Sequence, residues 1–369
     1  MKRIVFVCST KDFHAIDWYK SAKKICKLNP YILTDSKSSE GFKNLLNKKD
    51  IVFNLFLIDK LLFKRMSRIG NIWRNLIKLI LLPLQVYLLK RFNKKYPNNL
   101  YYAHTMYFIW ACHFAGLEFI GTPQGSEILV RTFKSIPYKY LSSIAIKSAL
   151  FITCDSKKMA ERIFQISKIK PLIIQNGIDI KLINKITKSN KKFFKRKKAI
   201  VSFRGLSPLY RTEEIFKSRE LIKDDKKIPI HLIYPFSEKD YKNEIISNLK
   251  PFDKDLGKLS QARLLEQFNQ YILYISIPSS DSSPRSVYEC ILSGGIVGIT
   301  EEDYYKDLPK ELQERIILIN LNNKRWLEEA INKANLLNKK PFNPKNVNLD
   351  QFDQLKSFKA IYKKLNKFY

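Results

Sequence analysis

Short runs of aliphatic and β-branched residues alternate with longer amphipathic patterns along this chain, and the alternation stops once and then restarts. Strands that alternate with helices form βαβ units, and such units build parallel sheets with helices on both faces. In the first stretch strands are predicted at residues 4–8, 31–34, 50–55, 100–103, 119–121, 150–154 and 171–175, with helices at 17–28, 61–92, 136–147 and 157–165. A basic, polar segment at 185–198 reads as a linker. Strands then resume at 199–203, 230–234, 272–276, 296–299 and 316–319, with helices at 211–222, 238–248, 260–267, 284–293, 323–337 and 349–368. The expected fold is α/β, with two Rossmann-like doubly wound domains facing a cleft, at 1–183 and 184–350. In open α/β sheets ligands bind outside the carboxyl ends of the strands. The informative residues should therefore stand just after strands.

Composition narrows the function classes. With 369 residues, 45% hydrophobic and 13% aromatic, the chain can fill two cores and is not a disordered sequence. Its net charge of +33 attracts polyanions: nucleic acid, anionic lipid or a phosphorylated substrate. A lysine-rich coding bias accounts for the charge equally well. The basic residues are scattered, with denser runs at 60–95 and 187–198. A dedicated nucleic-acid surface would be more localised and interleaved with stacking aromatics. Cys8, Cys26, Cys112, Cys154 and Cys290 are odd in number, far apart and free of CxxC pairs. That argues against a disulfide framework or zinc site and for a reducing compartment. The apolar run at 4–8 is too short for a secretory signal. The longest apolar stretch, 76–89, is broken by Lys78, Pro83 and Gln85 and would span only ~21 Å of a ~30 Å hydrocarbon core. A cytoplasmic protein is expected.

The segment at 275–300, ISIPSSDSSPRSVYECILSGGIVGIT, carries the most information. A strand runs into a Ser-rich turn. Ser283 is a good N-cap, with Pro284 expected at the first helical position, and Gly294–Gly295 end the helix. A helix start exposes unpaired N–H groups and partial positive charge, which suits a diphosphate. Helical side chains lean back toward the N-terminus, so Glu289 can approach the mouth that Asp281 occupies. Two acids would then flank one anion-binding helix start, able to accept hydrogen bonds from sugar hydroxyls. Alternatively, Glu289 pairs with Arg285 at i, i+4 and Asp281 is an ordinary turn residue.

This segment resembles the donor-site signature of family-four retaining glycosyltransferases with the GT-B fold: two acids separated by seven residues, then a small-residue helix end. Here Asp281 stands where the family has Glu, and Ser282-Ser283-Pro284 replaces Gly-Phe-Gly. The resemblance implies that Asp281 lies by the donor sugar, that Glu289 binds the ribose, and that Ser282, Ser283, Ser286 and Val287 line the donor turn. Further segments are similar to the family in the same order. GTPQGSEILV at 121–130 places Gly125, Ser126 and Glu127 on the acceptor side, and IIQNGIDI at 173–180 marks the interdomain hinge. SFRGLSPLYRTEEIFKS at 202–218 offers Arg204 and Arg211 for the diphosphate, since a guanidinium matches phosphate oxygens bidentately. GKLSQARLLEQFNQYILYISIPSSD at 257–281 would hold the base through Leu259 and Arg263. His104, closing the run YYAH, and His14, after the first strand, complete the candidates. His113 and His231 read as structural.

The resemblance implies transfer, with retention, from a UDP- or GDP-type sugar to a hydroxyl of a glycan or lipid-linked acceptor in surface-polysaccharide synthesis. It also implies that the helix in 351–369 crosses back to the first domain. Asp253-Lys254-Asp255 spells DxD, which a metal-using GT-A enzyme would need. It falls in a turn-like segment, so neither a metal nor another cofactor is expected. Residues 61–95 mix aliphatic and basic residues as a helix on an anionic bilayer does, which would make the protein peripheral on the inner face of the membrane; a helix pair with a solvated basic face is the other reading. A sugar-nucleotide epimerase and a basic polyanion-binding protein remain open as alternatives.

Overall fold

The computed structural model describes residues 2–9, 12–34, 46, 49–55, 68–189, 196–340, 342 and 347–369. They fall into two compact units, an N-terminal one drawn from residues 2–177 and 350–369 and a C-terminal one from 178–349. Residues 60–67 and 190–195, parts of the two basic regions singled out above, lie outside the described residues.

The N-terminal unit contains strands β1 (Arg3–Cys8), β2 (Tyr31–Thr34), β3 (Val52–Asn54), β4 (Asn99–His104) and β5 (Phe119–Thr122). They pair in parallel in the order β3-β2-β1-β4-β5. A further parallel pair, β6 (Thr153–Cys154) and β7 (Leu172–Ile173), continues from β5 through a Gly121–Ile152 bridge. Its helices are α1 (Phe13–Ile25), α2 (Arg68–Lys95), α3 (Met106–Phe114), α4 (Ile136–Lys147) and α5 (Lys157–Ser167). The unbroken apolar run of β1 is explained by burial on both faces. Val5 and Val7 pack with α2, α3, α4 and α5, whereas Ile4, Phe6 and Cys8 pack with α1 and the chain's last helix.

The C-terminal unit contains α6 (Ile180–Ser189), β8 (Lys197–Ser202), α7 (Glu213–Glu220), β9 (Ile230–Ile233), α8 (Lys239–Ser247), β10 (Lys254–Gly257), α9 (Gln261–Gln267), β11 (Tyr271–Ser276), α10 (Arg285–Leu292), β12 (Val297–Thr300), β13 (Ile316–Ile319) and α11 (Trp326–Leu337). Its sheet is parallel, in the order β10-β9-β8-β11-β12-β13. Two arginines, Arg196 half-buried and Arg315 buried, serve as helix C-caps, where cations meet the negative end of the helix dipole. Arg196 donates to Gly294 O at 2.8 Å, beyond α10, and Arg315 donates to Leu337 O and Lys340 O at the end of α11.

The last helix, α12 (Gln354–Leu365), belongs to the N-terminal unit and packs on α1 through Phe358, Ile361 and Leu365. The Asn176–Gly177 turn meets its start. Trp18 Nε1 donates to Asn176 Oδ1 at 3.1 Å, and a Cβ on Gly177 would lie 2.4 Å from the Gln354 backbone.

Four sequence expectations need correction. Residues 185–189, read as the start of a linker, belong to α6. Helix α3 was not expected, because its residues are apolar all round and give no amphipathic stripe; seven of its nine residues are buried. The segment 253–255, expected as a turn, leads into the edge strand β10, and the side chain of Asp253, just before that strand, is shielded from solvent. Its carboxylate pairs with the buried Arg219 at 2.6 Å and accepts the amides of Ile230 and Lys250. Finally, α10 begins at Arg285, one residue later than expected, because Pro284 is extended (φ −78°, ψ 97°) and is itself the N-cap.

Candidate functional site

Both sheets follow one rule of connectivity: the chain winds outward through three strands, then returns to the centre and winds the other way. The reversal lies between β1 and β4 in the N-terminal unit and between β8 and β11 in the C-terminal one. Side chains that follow these strands crowd at a topological switch point, where open α/β sheets bind ligands.

In the C-terminal unit the reversal collects charge. Arg204 stands two residues past β8. Its Nη2 lies 2.8 Å from Asp281 Oδ2, its Nη1 donates to Ser276 Oγ at 3.3 Å, and the guanidinium lies 5.0 Å from the Tyr210 ring centroid. Burial pulls this guanidinium's pKa down, but the Asp281 carboxylate and Tyr210 more than reverse that, so it stays protonated. Gly205 follows because a Cβ there would come within 2.4 Å of the Phe236 ring. Asp281 folds over its own turn and accepts the Ser282 amide at 3.0 Å. Ser283 Oγ lies 3.2 Å from Tyr288 Oη, and Ser286 is half-buried at the helix start. Val287 is wholly buried and its amide bonds Pro284 O, so it packs rather than lining the mouth.

Glu289 is buried one turn into α10. Its Oε1 accepts from Gln261 Nε2 at 3.1 Å and lies 4.0 Å from Arg285 Nη2. The i, i+4 pair weighed above is therefore present, though long, and the closer partner is Gln261. Leu259 is half-buried just after β10, and Arg263 is exposed on α9. Arg211 stands apart from this cluster. It adopts the left-handed conformation (φ 50°), its Nε donates to Ile277 O at 2.7 Å, and Nη2 reaches Pro278 O and Thr300 Oγ1. This guanidinium ties the turn before Asp281 to its own loop, where Ser279 N also donates to Leu209 O at 2.8 Å.

In the N-terminal unit the reversal collects aromatic rings and buried acids. His104 ends β4, its ring 4.5 Å from that of Tyr102 and 5.9 Å from that of Phe6 between centroids. Burial, helped by His14, drives its pKa down to about 3, so the imidazole is neutral. Its Nε2 is buried with no hydrogen-bond partner among the described residues. The next residue, Thr105, has φ 75° and ψ 152°. A β-branched residue in that region is strained, and such strain concentrates at functional positions. Glu127 is buried and clamps this corner, accepting the amides of Met106 at 2.8 Å and Gln124 at 2.9 Å; burial raises its pKa. Gly125 is half-buried, and Ser126 and His14 are exposed. Asp12, the N-cap of α1, is buried, and its pKa rises to about 6 for that reason.

The sequence reading missed Gln261, Thr105 and Asp12. Asp12 had a legible signal, an Asp before an amphipathic run. Gln261 and Thr105 had none, since one acts through a long-range pair and the other through backbone strain.

Among solved structures, Anabaena HepE in complex with UDP-glucose superposes with a TM-score of 0.72 at 15% identity, over 100% of both chains. Sucrose-phosphate synthase from Thermosynechococcus elongatus gives 0.72 at 11% identity, again over 100% of both chains. A glycosyltransferase from Rickettsia africae gives 0.68 at 12% identity, over 99% of this chain and 98% of that one. This protein has the GT-B fold. No protein-family model and no curated protein sequence matches the chain.

Proposed function

We propose that this protein is a glycosyltransferase that moves a sugar from a nucleoside-diphosphate sugar to a hydroxyl of a glycan acceptor. The observation that carries the reading is the Arg204–Asp281 pair at the β8/β11 reversal, beside the start of α10. A partly buried, permanently charged guanidinium beside the positive end of a helix dipole is a site for a diphosphate. Such groups stabilise the charge that develops as the anomeric C–O bond to the diphosphate breaks and the acceptor oxygen bonds to the same carbon. Asp281, released from Arg204 by the incoming phosphates, accepts from sugar hydroxyls. Glu289, oriented by Gln261, accepts from the ribose. The uridine nucleotides bound to the Anabaena neighbour favour UDP as the leaving group.

The N-terminal unit takes the acceptor. Neutral His104, with a buried unpaired nitrogen at its reversal, suits a sugar hydroxyl, and His14 follows β1 while Gly125 and Ser126 follow β5. The wider reading is a cytoplasmic enzyme of surface-polysaccharide synthesis that acts with retention, needs no metal, and works on a lipid-linked acceptor at an anionic membrane. Calorimetric titration with UDP, GDP and their sugar conjugates tests the donor site. One nucleotide is expected to bind, and Glu289→Ala should weaken it about tenfold, ~1.4 kcal/mol. A folded protein that binds none of them would remove the transferase reading and leave polyanion binding in its place.

A further inference from the structure

Two helices of the N-terminal unit leave large apolar side chains in water. On α2, Trp73, Leu76, Leu79, Ile80, Leu84 and Tyr87 are all exposed, Ile80 by 65%. At 3.6 residues per turn these positions fall on one side of the helix, opposite Gln85, Leu89 and Phe92, which are buried. The same side continues into Lys90, Arg91 and Lys94, all exposed. On α4, Ile136 is 83% and Tyr140 70% exposed, and Ile144 follows on the same side. Just before it, Phe133 is exposed with the Arg162 guanidinium 3.4 Å from its ring centroid. Both helices pack on α3 and on one face of the sheet, so their outer faces lie on one side of the unit. Large apolar side chains exposed in clusters of this kind mark interaction surfaces.

We infer that α2 and α4 together form a docking face for an anionic lipid bilayer. The inference rests on the membrane part of the reading above, and extends it from a basic stretch to a two-helix surface that includes residues 131–147. Charge selects the occupant. Arg68–Lys95 carries seven Lys and Arg, residues 131–147 carry four, and neither segment has an exposed acid, or any Asp or Glu. A second copy of the chain would set these cations against each other. Nucleic acid would meet the cations and leave the aliphatic residues in water, since Leu and Ile offer no stacking surface. A bilayer satisfies both, with aliphatic side chains at the acyl boundary, Trp73, Tyr87 and Tyr140 at headgroup level, and lysines on the lipid phosphates. The helices lie on this surface and do not cross it; among the described residues no helix is long and apolar enough to span a membrane.

Flotation with phosphatidylcholine vesicles, with and without phosphatidylglycerol, at low and high salt, tests this. The protein is expected to float with the anionic vesicles at low salt. The double substitution Ile136→Glu/Tyr140→Glu should reduce the floated fraction on the order of tenfold, as should Leu76→Glu/Ile80→Glu. All four positions are exposed, so circular dichroism and nucleotide affinity should not change. If the wild type stays behind at low salt, or is retained by a single-stranded RNA but not by vesicles, both the face and the membrane reading fall. If the wild type and the α4 variant float alike, the face is overturned while membrane association stands. Neither result bears on the donor titration.

Discussion

In the C-terminal unit a partly buried arginine follows the first strand and meets a carboxylate from the turn after β11 at 2.8 Å. In the N-terminal unit the corresponding corner holds a neutral histidine among aromatic rings, with two buried carboxylates, Asp12 and Glu127, held by backbone amides rather than by cations. The strand orders are the same. The chemistry differs because a switch point supplies only a location; what it binds is decided by the few residues that follow the strands. One corner is built around a permanent charge, which suits a diphosphate. The other is built around neutral donors and acceptors, which suits sugar hydroxyls, and it stores its acids where water cannot solvate them.

The contrast breaks most directly at Arg204. Arg204→Ala is expected to lower turnover and nucleotide affinity by about a hundredfold or more, ~2.7 kcal/mol, the scale seen when one preorganised donor to a developing anion is removed. Arg204→Lys should recover part of this, since it keeps the charge and loses the fork. Titration of both variants with the same nucleotide provides the check. If Arg204→Ala binds nucleotide like the wild type while His104→Ala does not, the assignment of the two corners is reversed.

The N-terminal corner should reveal itself through pH. Burial holds the Asp12 carboxyl up at about 6, against about 4 in an unfolded chain. Between these values the folded protein keeps a proton that the unfolded chain has released, so stability falls as pH rises from about 4 to about 6 and then levels off. Glu127, also raised by burial, acts in the same direction. Asp12→Asn retains an acceptor for the Ala15 amide and removes the charge. It is expected to raise the melting temperature at pH 7 by a few degrees, on the order of 1–3 kcal/mol, and to leave it unchanged near pH 4. A shift of equal size at both pH values would show that the buried charge is not its origin.

How far the sequence revealed this molecule follows the same contrast. Alternating apolar runs disclosed both sheets because most strands are short and buried, and because a capping side chain marks the start of several helices: Ser156 at α5, Ser260 at α9 and Asp353 at α12. Periodicity failed where burial is complete, as in α3, and where a strand lies at an edge with its side chains in water, as in β10. Arg204, Asp281 and Glu289 were legible because they follow strands or open a helix. The tether made by Arg211, with carbonyls 66 and 67 residues away, has no sequence signature, because such partners are set only by the folded loop.

The smallest effect should sharpen the C-terminal corner itself. Gln261 donates to Glu289 at 3.1 Å from the first turn of α9, and Arg285 stands farther off at 4.0 Å. If Glu289 meets a ribose hydroxyl, Gln261 works through it as a positioning residue, fixing the carboxylate rotamer before the ligand arrives. Gln261→Ala should then weaken nucleotide binding about three- to tenfold, ~0.7–1.4 kcal/mol, the range of one typical intramolecular hydrogen bond. It should do so equally for UDP and UDP-sugar, because the ribose is common to both. Gln261→Glu should weaken binding further, by placing a second carboxylate against Glu289. Combined with Glu289→Ala, Gln261→Ala should add almost nothing, as expected of two residues that act as one unit. Additive losses would mean that Gln261 touches the ligand directly, and the base side of the site would then extend onto α9.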